Sequence, residues 1–184
     1  KKGFKFGIGF PQWANKYPLE CFYMRINLFR SIDSSDSVSQ LVTEFNQYDL
    51  HTLENLILEK KSLTWNEAKQ IIDGLIANNA PLKKLDLSYN QISGTLPKRA
   101  FHGLDQLQSL ALRRNSLSSL PSEVFQSLGQ LQSLDLRSNS FTTLPAGVFQ
   151  GLSQLQSLDL SKNQLTTFPA GAFQGLRQLQ SLNL

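Results

Sequence analysis

Leu155-Gln-Ser-Leu-Asp-Leu-Ser-Lys-Asn-Gln-Leu-Thr-Thr-Phe-Pro-Ala-Gly-Ala-Phe173 is the stretch from which the fold of this chain is read. Its first leucines, Leu155, Leu158 and Leu160, follow the pattern Leu-x-x-Leu-x-Leu, in which the last two are separated by one residue, as on one face of a strand. The pattern returns at Leu107/Leu110/Leu112, Leu131/Leu134/Leu136 and Leu179/Leu182/Leu184, so that four copies follow one another at one constant interval. Upstream it stands at Leu82/Leu85/Leu87, a single position beyond that interval, and after a longer gap at Leu53/Leu56/Leu58.

Other columns repeat with it. Asparagine follows the strand at Asn90, Asn115, Asn139 and Asn163. A Leu-Pro or Phe-Pro step comes next, at Leu96-Pro97, Leu120-Pro121, Leu144-Pro145 and Phe168-Pro169. Phenylalanine stands at Phe101, Phe125, Phe149 and Phe173, with leucine three residues on at Leu104, Leu128, Leu152 and Leu176. Self-similarity at a fixed period of this size marks a solenoid, in which one repeat cannot bury its apolar face alone and stacked neighbours cover it.

These residues closely resemble the leucine-rich-repeat family, and the 24-residue copies are similar to those of toll-like receptors and variable lymphocyte receptors. The resemblance covers about residues 53–184. The first repeat departs from that form. Its strand leads into Ser62-Leu-Thr-Trp-Asn-Glu-Ala-Lys-Gln-Ile-Ile-Asp-Gly-Leu-Ile76, with Trp65, Ala68, Ile71, Ile72 and Leu75 at helical spacing. Its length is similar to the ribonuclease-inhibitor class, and Lys61 stands where asparagine is expected. Ile92-Ser-Gly-Thr-Leu-Pro97 is similar to the plant-type form. The resemblance implies an α/β solenoid, a leucine-rich-repeat horseshoe with a parallel β-sheet on its concave face. About five repeats plus a final strand fill residues 53–184.

Residues 1–52 are expected to form an N-terminal cap of strand and helix without the cysteine-rich motif usual in extracellular members. Phe4, Phe6, Ile8 and Phe10 alternate like a strand, and Lys5, Gly7 and Gly9 interrupt what would otherwise look like a signal peptide. A mature chain from which a signal had been removed would read the same way. Asp33-Ser-Ser-Asp-Ser37 reads as a turn and helix cap before Val38, Leu41, Val42 and Phe45. Met24, Ile26 and Leu28 suit the strand of an additional degenerate repeat. At the other end the leucines and backbone edge of the last strand would be open. The expectation is a truncated array, with self-association through that edge as the other way of covering it.

Composition narrows the function. The chain has 184 residues, 40% of them hydrophobic and 17% charged, so it can bury a core and is too sparsely charged to be disordered. No run reaches the roughly 18 apolar residues of a membrane span. The net charge of +4 gives only a weak preference for acidic partners. Cys21 is the single cysteine, and no Asn-x-Ser/Thr sequon occurs, which together lean toward a cytoplasmic protein or a secreted bacterial effector.

The strand-flanking positions supply the candidate partner site. Gln108/Gln132/Gln156/Gln180, Ser109/Ser133/Ser157/Ser181 and Asp86/Asp135/Asp159 form nearly uniform columns. Uniformity suits a recently duplicated array, a repetitive partner, or side chains that hydrogen-bond across adjacent strands. After the strands the residues vary and are basic: Arg113, Arg114, Arg137 and Lys162, with Lys83 and Lys84 one coil earlier. Two readings stand side by side, a basic stripe that docks acidic groups and surface pairs that merely neutralise the aspartates. The asparagines Asn90, Asn115, Asn139 and Asn163 are read as structural, an amide that both donates and accepts being suited to unpaired backbone at a turn. No catalytic pattern, metal-ligand spacing or cofactor motif is found: His51 and His102 lie in different repeats without a nucleophile nearby. A nucleic-acid partner is not expected, for want of an aromatic stacking series.

The expected function is therefore a protein–protein interaction module that binds a partner on the concave face, as a bacterial effector or intracellular scaffold. An immune-receptor-like or adhesion ectodomain is the first alternative. A targeting domain for an enzyme outside this segment is the second.

Overall fold

Lys84-Leu-Asp86, Ser133-Leu-Asp135, Ser157-Leu-Asp159 and Ser181-Leu-Asn183 each set one leucine between two polar residues, an alternation that puts the leucine on one side and the polar residues on the other. The computed structural model describes residues 53–184, together with the backbone of Met24–Arg25. The strands are β1 (Met24–Arg25), β2 (Asn55–Ile57), β3 (Lys84–Asp86), β4 (Ser93–Thr95), β5 (Ser109–Ala111), β6 (Ser116–Ser119), β7 (Ser133–Asp135), β8 (Ser157–Asp159) and β9 (Ser181–Asn183). Seven of them form one parallel sheet in the order β1-β2-β3-β5-β7-β8-β9, and β4 pairs with β6 in a second, two-stranded sheet. The molecule is a parallel β-solenoid.

Register is strict along the main sheet. Leu56, Leu85, Leu110, Leu134, Leu158 and Leu182 are partners in successive strands. The first five are buried, as are the leucines on either side of those five strands, whereas Leu182 and Leu184 at the last strand are exposed. The additional strand expected near Met24 is present in the backbone, pairing parallel with Leu56–Ile57. Ile26, Leu28, the alternating Phe4–Phe10 segment, the helix expected around Val38–Phe45 and the remainder of the proposed cap lie outside the described residues.

The opposite wall is aromatic. Phe101, Phe125, Phe149 and Phe173 stack face to face, with centroids 6.1, 6.4 and 6.1 Å apart and planes within 10° of parallel. One ring per coil at this spacing forms a continuous spine, with offset stacking adding to the burial of apolar area. Trp65 ends the spine, edge-on to Phe101 at 5.8 Å.

Trp65 opens the one helix among the described residues, α1 (Trp65–Ala77). Its start is fixed by a capping box: the Thr64 backbone N–H donates to Glu67 Oε2 at 2.7 Å, and the Glu67 N–H donates back to Thr64 Oγ1 at 3.5 Å. Ala68, Ile71, Ile72 and Leu75 turn inward at helical spacing and close the core of the first coil. Asn78 ends the helix by donating from Nδ2 to the Gly74 carbonyl at 2.8 Å.

Candidate functional site

Shortly after each strand the backbone turns sharply, and the turn governs where the exposed side chains go. Lys60, Tyr89, Arg114, Ser138 and Lys162 occupy the same place in successive coils, and all have left-handed φ values between 50° and 58°. None is glycine, so each conformation carries a steric cost. A backbone hydrogen bond to the next coil holds four of them: Lys60 N–H to Ser88 O at 3.1 Å, Tyr89 N–H to Arg113 O at 2.9 Å, Arg114 N–H to Arg137 O at 2.9 Å, and Ser138 N–H to Ser161 O at 2.9 Å.

The next position is the asparagine ladder. Asn115 donates from Nδ2 to the carbonyls of Leu112 in its own coil and Leu87 in the preceding one, both at 3.0 Å, and its Oδ1 accepts from Ile92 N–H at 3.1 Å. Asn139 repeats this with Leu136, Leu112 and Leu117, and Asn163 with Leu160, Leu136 and Phe141. Asn90 donates to Leu58 and Leu87 and accepts from both Lys61 and Leu63 N–H. Each amide thus joins two coils as well as closing its own turn.

The aspartates have a local task. Asp86 Oδ1 accepts from Ser88 N–H at 2.9 Å, Asp135 Oδ1 from Arg137 N–H at 3.0 Å, and Asp159 Oδ1 from both the N–H and the hydroxyl of Ser161, at 2.9 and 2.6 Å. These bonds run two residues along the chain, so the carboxylates chiefly shape their own turns. Asp135 and Asp159 are direct strand partners, whereas Ala111 separates Asp86 from Asp135. Burial raises the Asp135 carboxyl above the usual carboxylate value and outweighs the favourable Arg137 N–H and the nearby guanidinium groups. At Asp159 burial acts in the same upward sense. There the Ser161 hydroxyl and N–H, the Asn183 side chain and Arg137 overcome it and leave the pKa lowered.

Arg113, Arg114 and Arg137 come together in adjacent coils beside these turns. They are not equally free. Arg137 Nη1 lies 4.0 Å from Asp159 Oδ2, and Arg113 Nη2 lies 3.7 Å from Glu59 Oε1. Arg114 has no carboxylate at ion-pair distance among the described residues. Lys162 shares the Arg114 position two coils further on. The lysines at the other end do not join this group: Lys84 is the register partner of Ser109, so it stands at the start of its strand, roughly 13 Å along the strand from the Arg113 position at about 3.3 Å per residue. Lys83 is paired with Glu54 at 2.5 Å.

Tyr89 carries no signal of its own in the sequence, although it occupies the left-handed column between Lys60 and Arg114. Lys60 Nζ lies 5.0 Å from its ring centroid, Arg113 Cζ 5.4 Å and Arg114 Cζ 5.2 Å. The aligned columns hold the signal instead, since strict register makes equivalent positions neighbours. Ser88, next to Tyr89, is fully buried, and its hydroxyl has no hydrogen-bond partner among the described residues.

Comparison with known proteins fits this geometry. The family model described as leucine rich repeat matches four overlapping segments, residues 51–117, 80–141, 105–163 and 129–184. The chain belongs to the leucine-rich-repeat family. No curated protein matches it. A solved structure, the crystal structure of a TLR13–ssRNA13 complex, is similar with a TM-score of 0.70 and 32% identity, over 80% of this chain and 20% of that one. The segment similar to this leucine-rich-repeat chain is therefore a small part of that protein. Leucine-rich repeats form interaction modules, of a kind typical of binding scaffolds. Among the described residues no cluster of His, Cys, Asp and Glu could hold a metal ion, and no helix is long and apolar enough to cross a membrane.

Proposed function

We propose that this solenoid is a protein-interaction module whose strand face, the concave face of the family, docks an acidic protein partner. Its centre is the arginine group Arg113, Arg114 and Arg137, with Lys162 continuing the column and Lys84 at the far edge of the face. Asp135 sets the turn from which Arg137 projects, Asp159 that of Lys162 and Asp86 that of Tyr89, while Arg113 and Arg114 follow Ala111. The observation that carries the reading is the register of the sheet, which gathers basic residues from successive coils onto one rigid wall. Guanidinium forks engage carboxylates in two parallel hydrogen bonds. A preorganised wall loses little conformational freedom on binding. The α1-bearing first repeat and the lone cysteine support an intracellular scaffold or bacterial effector. The test is recovery of partner by the wild-type chain and by Arg113→Glu/Arg114→Glu/Arg137→Glu. Loss of an acidic partner with the triple variant is expected, and equal recovery removes the proposal.

A second reading, ligand recognition in a receptor-like ectodomain, is supported by the similarity to a TLR13 chain at 32% identity. Export of the natural protein with a cleaved signal would select it over the first.

A further inference from the structure

We propose that Tyr89 and the three cations around it, Lys60, Arg113 and Arg114, form a receptor for a phosphomonoester side chain carried by a protein partner. The proposal rests on the docking reading above and names the chemistry at its centre.

Three coils contribute. Lys60, Tyr89 and Arg114 hold one backbone position in successive coils, and Arg113 reaches the same ring from the neighbouring position. The ring face attracts each cation, but three cations at 5.0, 5.4 and 5.2 Å from one centroid repel one another. The charge nearby only partly relieves this. Glu59 Oε1 lies 3.7 Å from Arg113 and 3.9 Å from Lys60, while Arg114 has no carboxylate partner among the described residues. Asp135 also acts on Arg113, so the unbalanced positive charge centres on Arg114.

A partner carboxylate would bring one negative charge and two acceptor oxygens. A phosphomonoester carries a charge of roughly −1.5 to −2 at neutral pH and three acceptor oxygens, one for each cation. Two planar guanidinium forks and one mobile ammonium suit a tetrahedral group approached from several sides. A continuous nucleic-acid strand fits less well. Tyr89 has no aromatic neighbour in its column, where Ser138 and Lys162 follow, so there is no run of stacking platforms. Asp135 and Asp159 border the arginines and would repel a phosphate backbone laid across the coils. A single phosphoryl group on a peptide avoids them.

The experiment measures binding of the full 184-residue chain to an acidic peptide bearing one phosphoserine, and to the same peptide with serine or glutamate there. Inorganic phosphate is the competitor, and a single-stranded RNA oligonucleotide is run at the same ionic strength. The phosphopeptide should bind at least about tenfold more tightly than the serine form and more tightly than the glutamate form. Inorganic phosphate should displace it. Lys60→Gln and Arg114→Gln should each remove most of that preference, Arg114→Lys should keep part of it, and Arg177→Gln in the last coil should leave it intact. Circular dichroism checks that each variant is folded. Equal affinity for all three peptides overturns the phosphate receptor. If those peptides still weaken with Arg137→Glu, docking of acidic segments survives by itself. Preference for RNA, retained in Lys60→Gln, overturns the phosphate receptor and the acidic-protein reading together.

Discussion

Asn139 Nδ2 donates to the carbonyl of Leu112, 27 residues earlier in the chain, at 3.0 Å, and the same nitrogen donates to Leu136 three residues before it. One buried amide thereby ties two coils together. Asn139→Leu leaves the Leu112 and Leu136 carbonyls and the Leu117 N–H without this partner. The expected loss is about 1–3 kcal/mol, read from urea or thermal unfolding. An unchanged midpoint would contradict the inter-coil role. Asn163, which is less buried, should cost less on the same substitution.

Ser88 and Ser161 occupy equivalent positions with opposite circumstances. The Ser161 hydroxyl donates to Asp159 at 2.6 Å, whereas the Ser88 hydroxyl is buried without a partner among the described residues. Ser88→Ala should be neutral or stabilise by up to about 1 kcal/mol, because an unsatisfied buried hydroxyl is removed. Ser161→Ala should destabilise by about 0.5–1.5 kcal/mol. Paired denaturant titrations decide the order, and Ser88→Ala being the more harmful change would refute it.

Asp135 and Asp159 should respond oppositely to pH. The folded-state pKa of Asp135 is raised, so between the unfolded value of 3.8 and that raised value the native state binds more protons, and its contribution to stability declines as pH rises. The pKa of Asp159 is lowered, so its contribution is present above 3.8 and is lost as pH falls toward the lower value. At neutral pH, Asp135→Asn should be neutral or mildly stabilising and Asp159→Asn mildly destabilising. Each effect is limited to about 0.5 kcal/mol by water contact. Melting temperatures from pH 3 to pH 7 would show the crossing; parallel curves would rule it out.

Phe125 lies between Phe101 and Phe149 in the aromatic spine and is fully buried. Phe125→Ala should cost about 3–5 kcal/mol through the cavity it leaves. Phe125→Leu should cost less, since part of the volume stays filled. Chemical denaturation checks both, and a cost below about 1 kcal/mol would mean that the coils close over the gap.

The solenoid is legible in the sequence because its core is periodic: Leu110, Leu134 and Leu158 recur at one interval and become strand partners. The start of α1 is legible within a few residues from Trp65, Ala68, Ile71, Ile72 and Leu75. The two-stranded sheet of β4 and β6 is not, since Ser93–Thr95 and Ser116–Ser119 carry no alternation that marks a strand. Among the candidate binding residues, proximity in sequence misleads at Lys84, which stands at the opposite end of its strand from the arginine position. Tyr89 escapes such a reading because its importance arises only when Lys60 and Arg114, each a whole coil away along the chain, become lateral neighbours. A column of unlike residues does not announce itself as a pattern.

The aromatic spine and the strict strand register also make consecutive coils nearly interchangeable. Excising residues 132–155 would join Leu131 to Gln156 where Gln132 stood, and each asparagine would find the same backbone groups in its new neighbour. The array can therefore lengthen or shorten by whole 24-residue units without redesign of its interior. Such modular growth would alter the span of the binding wall while leaving the chemistry around Tyr89 untouched.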